Sequence, residues 1–319
     1  MIYSENDSSQ NSSTLNDDSS TSSFQVQKEL LNHIGERFAV KDWRVKMLSG
    51  GIESSVFSIQ SSCGPRLLLK FSEYRYTNND NDPDLDFLRL YEQERDLSLL
   101  AFANGVPIAR PFDVFLFGEE VPVALMEFVE HDGSRPSSVG LGRLARTVHN
   151  IKCAGAKTVA MRGREIVDIV SNLIIRRLEV VRAIAGGGVG IIDRDWLVIL
   201  LRPLEDDARL LHLDLRAENI LCREGNPIAL IDWNNAMVAH PLLEIARIYE
   251  YGDLTKEFCV GYGDVDLMSV VNTRFGKVCR LYTAAMMCVL YLSEIPNVSE
   301  AADRLARLQV LLNSLREEK

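Results

Sequence analysis

"LLHLDLRAENIL", residues 210–221, sets a histidine, an aspartate and an asparagine (His212, Asp214 and Asn219) among apolar residues that read as core. His, Asp and Asn are poor formers of regular structure, and a buried carboxylate is costly without a partner or a metal. The segment that follows offers that compensation. "NILCREGNPIALID" (219–232) is two short apolar runs around Glu-Gly-Asn-Pro, a hairpin signal. Pairing Asn219 with Asp232 centres the turn between Gly225 and Asn226. Folding then returns Asp232 beside Asn219, with Asp214 and His212 on the loop leading in. Two carboxylates and an amide oxygen suit Mg²⁺, which favours a few carboxylates plus substrate phosphates. For an isolated Asp–Asn pair, a loop capped by its own side chains is the simpler reading. That reading leaves Lys70 unexplained.

Upstream, "WRVKMLSGGIESSVFSIQ" and "RLLLKFSEYRY" have the β-branched and alternating character of strands around a Ser49-Gly50-Gly51 turn. Glycine removes the Cβ that would keep phosphates from the backbone amides, although most Gly-Gly turns are only turns. Lys70 closes the run "LLLK", where it either reaches inward or ends a strand at the surface. Glu94, on the helical segment "LRLYEQERDLSLLAFANG" that stops at Asn104-Gly105, is a plausible partner. A buried Lys–Glu pair beside a glycine turn positions α- and β-phosphates in kinases. Two further strands, "VPIARPFDVFLF" and "VPVALMEFV", flank a turn at Gly118-Glu119-Glu120.

Composition bounds the rest. The chain has 319 residues, 46% hydrophobic and 25% charged, enough for two packed lobes. Residues 1–23 hold nine serines and almost no apolar side chains, the composition of a disordered tail. An N-terminal lobe is expected over 24–130, beginning with the helical "FQVQKELLNHIGERF". Beyond residue 131 the pattern turns helical, over 138–153, 164–184, 195–201 and several segments of 242–319, with one β-like patch at 219–232. The second lobe is expected over 131–319. Residues 1–130 carry 11 Lys+Arg against 21 Asp+Glu, and residues 131–319 carry 24 of each. The excess acid collects in the tail and in "TNNDNDPDLD" (77–86), read as solvated loops. No basic stripe suggests nucleic acid, and the longest apolar stretch, "TAAMMCVLYL" (283–292), suits a buried helix rather than a membrane span. Six cysteines without C-x-x-C spacing, and no signal-peptide pattern, point to reduced thiols and a cytoplasmic location.

In this order, the segments resemble the aminoglycoside phosphotransferase and choline kinase-like family, the small-molecule branch of the protein kinase-like fold. The likeness runs from about residue 40 to 250. "HLDLRAENIL" is similar to its catalytic loop and "LIDWNNA" to its metal-binding segment, with Trp233 where protein kinases usually have Phe-Gly. "PLLEIARI" (241–248) is similar to the helix start that follows, with Glu244 at a usually acidic position. "LGRLARTVHNI" resembles the first long helix of the large lobe, where His149 is taken as packing. Leu213, Arg216, Ala217 and Glu218 depart from the family's common Gly, His, Pro and Gly. Asn234 replaces a frequent acid, and His240 an aspartate, so the residues expected around the metal ligands differ from the family's.

The resemblance implies an α+β bilobal fold, with an N-terminal antiparallel sheet and helix and a larger, mainly helical C-terminal lobe. It implies ATP or GTP as donor, Mg²⁺ as cofactor, and a small-molecule hydroxyl as acceptor. Asp214 would orient the acceptor, Asn219 and Asp232 hold the metal, and His212 brace the loop. Ser49, Gly50, Gly51, Ser54, Lys70 and Glu94 would hold the nucleotide phosphates. Met126, Glu127 and Phe128, in the hinge "LMEFVEH" (125–131), would meet the base. Arg216 either approaches the γ-phosphate or is an exposed loop arginine. No nucleic-acid or membrane partner is expected, and the state is a monomer or weak dimer. Two alternatives are a kinase-like regulatory module that binds nucleotide and an aminoglycoside antibiotic kinase. The balanced charge of the second lobe favours a neutral or singly charged acceptor, unless local carboxylates such as Glu205, Asp206, Asp207 and Glu250 build an acidic patch.

Overall fold

The two-residue period of the N-terminal strands sorts their side chains onto opposite faces, and this decides where Lys70 points. The computed structural model describes residues 28–37, 43–50, 54–62, 64–153, 158, 164–186 and 189–318. The expected tail over 1–23 lies outside the described residues, as do Gly51 and Cys63. Helix α1 (residues 28–37) is followed by β1 (Trp43–Gly50), β2 (Ser55–Ser61), β3 (Arg66–Phe71), α2 (Phe87–Ala103), β4 (Pro111–Phe117) and β5 (Val121–Glu127). The strands form one antiparallel sheet in the order β1-β2-β3-β5-β4. Phe57, Ile59, Leu67, Leu69, Phe71, Val123 and Leu125 share the face that packs on Leu30 and Ile34 of α1. Val56, Leu68, Ala124 and Met126 lie on the other, against Phe87, Leu90 and Tyr91 of α2. Lys70 falls in the second series and therefore faces α2. Helix α2 starts at Asp86, whose side chain accepts from the Leu88 and Arg89 amides, and stops before Gly105 at φ +86°.

The large lobe comprises α3 (Ser138–His149), α4 (Ile166–Ala185), α5 (Arg194–Leu201), β6 (Arg209–Leu211), β7 (Ile220–Arg223), β8 (Asn226–Leu230), β9 (Met237–Ala239), α6 (Leu242–Tyr251), α7 (Lys256–Tyr262), α8 (Leu267–Val270), α9 (Arg274–Val289) and α10 (Val298–Glu317). A π-helical turn, Leu290–Glu294, extends α9. Arg274–Glu294 is long and apolar enough to cross a membrane by length and composition, but 67% of its apolar window is buried inside the fold.

Three expectations are corrected here. The large lobe has a second ladder, β6 with β9, besides the 219–232 patch. Each strand is only three residues long and lies within apolar surroundings, so neither shows the alternation that marks a strand. The hairpin register also differs: Ile220 pairs with Leu230 and Leu221 with Ala229, then a bulge shifts the ladder so that Arg223 pairs with Asn226. The turn is therefore Glu224-Gly225, at φ +54° and +74°, the left-handed pair that a two-residue hairpin turn requires. Asn219 is opposite Ile231, whose amide donates to its carbonyl at 3.0 Å. Finally, residues 77–86 are not a solvated loop. Arg177, 1% exposed, pairs with Asp82 at 3.3 Å, and Arg176 donates to the Asp80 carbonyl at 2.9 Å. The acidic segment is drawn onto the large lobe by two arginines of α4.

A buried polar knot holds the catalytic-loop segment. Glu244 on α6 is wholly buried, and its Oε2 accepts from His149 Nε2 at 2.8 Å and from the His212 amide at 2.9 Å. His149 Nδ1 meets the Tyr262 hydroxyl at 3.0 Å. Burial opposes ionisation of Glu244, but the hydrogen bond and charge of His149 outweigh it and hold the carboxyl below its ordinary range. A carboxylate depressed in the folded state stabilises above its unfolded pKa, and that contribution drains as pH falls through the folded pKa. Glu244→Gln should therefore cost about 1–3 kcal/mol in urea unfolding at pH 7. The gap to wild type should narrow as pH is lowered below about 4.5. A gap independent of pH would show that Glu244 is not ionised in the fold.

Candidate active site

Lys70 occupies the centre of the cleft because β3, α2 and the segment after β8 converge on it. Its Nζ donates to Glu94 Oε2 at 3.0 Å and to Asp232 Oδ1 at 3.4 Å, and lies 5.3 Å from the Tyr91 ring centroid. Burial opposes the charge on Lys70, but Asp232 and then Glu94 outweigh it, so the ammonium titrates well above its ordinary range. The reverse holds for Asp232: burial works against the carboxylate, and Lys70 followed by His212 overcomes it and lowers its pKa. Glu94 also accepts from the Asp232 amide, Oε1 at 3.2 Å, so one carboxylate fixes both the lysine and the backbone of the segment after β8. Asp232 sits at φ +67°, a strained position for a residue with a Cβ.

The catalytic-loop residues lie across the cavity. Asn219 Nδ2 donates to the Asp214 carbonyl at 2.9 Å and to Asp214 Oδ2 at 2.8 Å. With its amide nitrogen so committed, oxygen is the donor atom Asn219 has for a cation. Together with an ionised Asp232, this set fits a small hard ion that takes its remaining ligands from phosphates and water. Asp214 Oδ1 accepts from the Tyr251 hydroxyl at 3.2 Å, and Arg247 donates to that hydroxyl at 2.8 Å. Burial pushes the Tyr251 phenol up to about 12, so it stays a donor at neutral pH. Arg216 Nε lies 3.3 Å from Asp214 Oδ1 but is not aligned to donate, so the contact is one of charge. His212, fully buried, links the loop to the end of β8: its Nδ1 accepts from the Asp214 amide at 3.3 Å, which assigns the hydrogen to Nε2, 3.0 Å from the Ile231 carbonyl. Trp233 packs edge-on against it at 4.7 Å between centroids.

All of this borders one cavity of about 600 Å³, lined by Lys70, Glu94, Asp214, Arg216, Asn219 and Asp232. Ser54, Met126, Glu127 and Phe128 line it too. Ser54 Oγ is 2.9 Å from the Tyr91 hydroxyl, and Arg66 covers the Phe128 ring at 3.7 Å. Val56, Leu68, Met126, Leu221 and Ile231 supply its apolar walls. Ser49 and Gly50 end β1 and pair with Val56 and Ser55; Gly51 lies outside the described residues. Three participants have no counterpart in the sequence reading. Gln93 donates to the Trp233 and Asn234 carbonyls at 3.1 and 3.0 Å, tying α2 to the segment after Asp232. Arg247 and Tyr251, four apart on α6, reach Asp214. The only signal for them is that spacing, which begins inside the segment "PLLEIARI" at Arg247 and ends beyond it at Tyr251.

Comparison with known proteins places this geometry. The family model of the phosphotransferase enzyme family matches residues 44–267. No curated protein matches the chain. Among solved structures, a thermostable variant of the aminoglycoside phosphotransferase APH(4)-Ia, in complex with ADP and hygromycin B, is 17% identical with a TM-score of 0.55, over 89% of this chain and 97% of that one. The GDP complex of an aminoglycoside 2'-phosphotransferase-IIIa variant is 16% identical with a TM-score of 0.58, over 90% and 97%. A candidate fructosamine-3-kinase from Haemophilus somnus 129PT is 14% identical with a TM-score of 0.60, over 88% and 94%. At these identities the structural likeness speaks to the fold, which is the bilobal kinase-like one. The family match covers most of the chain, which belongs to the phosphotransferase enzyme family and is a small-molecule phosphotransferase.

Proposed function

We propose that the protein transfers the γ-phosphoryl group of ATP or GTP to a hydroxyl of a small molecule, with Asp214 facing the acceptor. One observation carries this reading. The Lys70–Glu94–Asp232 cluster, which joins the two lobes, and the Asp214–Asn219 pair of the large lobe open onto the same cavity. Lys70 would hold the donor phosphates, with Glu94 keeping its ammonium in place. The apolar walls formed by Val56, Leu68, Met126 and Leu221 suit the flat base, and the Met126–Phe128 strand end offers backbone groups to its edge. Asn219 and Asp232 would hold Mg²⁺, which offsets charge on the phosphates.

Asp214 would orient the acceptor oxygen for in-line attack. As the new P–O bond forms and the bond to the nucleoside diphosphate breaks, the acceptor proton passes to the Asp214 carboxylate. Asn219 and Tyr251 fix that carboxylate on its two oxygens, so little reorganisation is left to the transition state. Arg216, beside Asp214 on the cavity wall, would face the transferring group. His212 is a positioning residue, since one ring nitrogen is used within the loop and the other on the Ile231 carbonyl. A regulatory module without turnover requires nucleotide binding alone, whereas these contacts also organise an acceptor-side carboxylate.

The test separates binding from chemistry. Asp214→Asn should bind ADP within about threefold of wild type and lose about 10²-fold or more in kcat for nucleoside diphosphate release. Lys70→Met should weaken ADP binding as well as turnover. Equal loss of ADP affinity in the two variants would remove Asp214 from the acceptor side, and binding without turnover in wild type would make the protein a regulatory module.

A further inference from the structure

Beyond Asp214 the cavity continues into a region that the phosphoryl-transfer residues do not use. One wall is the 77–86 segment, which leaves the small lobe after β3 and crosses to the large one. The Asn81 amide donates to Glu294 Oε1 at 2.8 Å, Asn81 Nδ2 donates to the Met286 carbonyl at 3.3 Å, and Ser293 Oγ donates to Asp80. The adjoining wall is the end of α9 and its π-helical turn, a rare geometry often found at functional sites. None of the five residues in that turn is fully buried, and Leu290, Tyr291 and Glu294 line the cavity with Met286 and Met287.

Resting on the phosphotransferase reading of this cleft, we propose that the acceptor binds in the cavity against this strap and the α9 end, and that it is a hydroxyl compound without net positive charge bearing an apolar portion. Charge is the first ground. A polycation must be met by carboxylates able to replace its water, and those of this region are already engaged. Asp82 is paired with Arg177, Glu218 with Arg135 at 3.0 Å, Glu294 accepts the Asn81 amide, and Asp214 is held by Asn219 and Tyr251. Burial pushes the Asp253 carboxyl above its ordinary range, against the nearby charges of Arg135 and Arg216. Glu250 is 2% exposed and turned toward Arg280 and Arg307, so it builds no acidic patch. Arg216, Arg247 and Arg304 face the same space.

Shape and hydrogen bonding supply the second ground. Met286, Met287 and Leu290 give an apolar floor that adapts to a flat or branched group. Asn81 is 6% exposed, and its Oδ1 is buried without a partner. A ligand hydroxyl that reaches this atom supplies the hydrogen bond it lacks, while the Asn81 amide stays on Glu294.

Three probes test this on the full chain with Mg·ATP: phenyl β-D-glucoside, D-glucose and kanamycin. Expected kcat/KM falls in that order, with the phenyl compound at least about tenfold above glucose, the scale of one apolar subsite. Met287→Asp should erase the phenyl preference, Met287→Leu should keep it, and Asn81→Ala should raise KM for both sugars more than it lowers kcat. ADP affinity measured in each variant confirms folding. Kanamycin as the best substrate, a phenyl preference unchanged in Met287→Asp, or no probe raising ADP release above hydrolysis would overturn the proposal. Failure of the wild type to bind ADP would instead overturn the underlying nucleotide reading.

Discussion

The charge of Lys70 is the constraint on which the cleft depends. An ammonium placed on the inner face of a sheet cannot stay ionised there without anions, and the fold supplies two, from different lobes. Glu94 comes from α2, whose buried face is set by Phe87, Leu90, Tyr91 and Leu97. Asp232 comes from the end of a hairpin pinned to the small lobe through the Leu230 amide and Pro107 carbonyl at 2.8 Å. Glu94 binds the lysine with one oxygen and the Asp232 amide with the other, so the three groups cannot be moved independently.

The catalytic loop rests on a second set of buried polar contacts. Leu213, fully buried, takes φ +55°, a conformation that costs an ordinary residue about 1–2 kcal/mol. It is held there because the residues on either side are fixed: His212 by Glu244 and the Ile231 carbonyl, Asp214 by Asn219 and Tyr251. Glycine, common at this place in the resembling family, would take the same backbone without strain, whereas leucine adds apolar packing. The strain is local and lies beside Asp214, the carboxylate proposed to face the acceptor.

The sequence was informative where chemistry forces residue type. Lys70, Glu94, Asp214, Asn219 and Asp232 stand out because charged and amide groups interrupt apolar runs, and the structure gathers all of them on one cavity. His149 was read as packing and Glu244 only as an acidic position; their direct bond is a contact between α3 and α6 that no local pattern reports. Less legible were features that depend on distant partners. The β6–β9 ladder is too short to alternate, and the hairpin register turns on a bulge. The acidic 77–86 segment reads as solvated until Arg176 and Arg177, about a hundred residues later, are brought against it. Tyr251 and Arg247 belong to the same class, since their role exists only once α6 is laid beside the catalytic loop.

The central claim is that Lys70 and Asp232 form one nucleotide site spanning both lobes. Calorimetric titration of ADP into wild type and Asp232→Asn, each with and without Mg²⁺, tests it most directly. The account predicts that Mg²⁺ tightens ADP binding about tenfold or more in wild type and leaves it nearly unchanged in the variant. An equal Mg²⁺ effect in both proteins would contradict it and place the metal elsewhere.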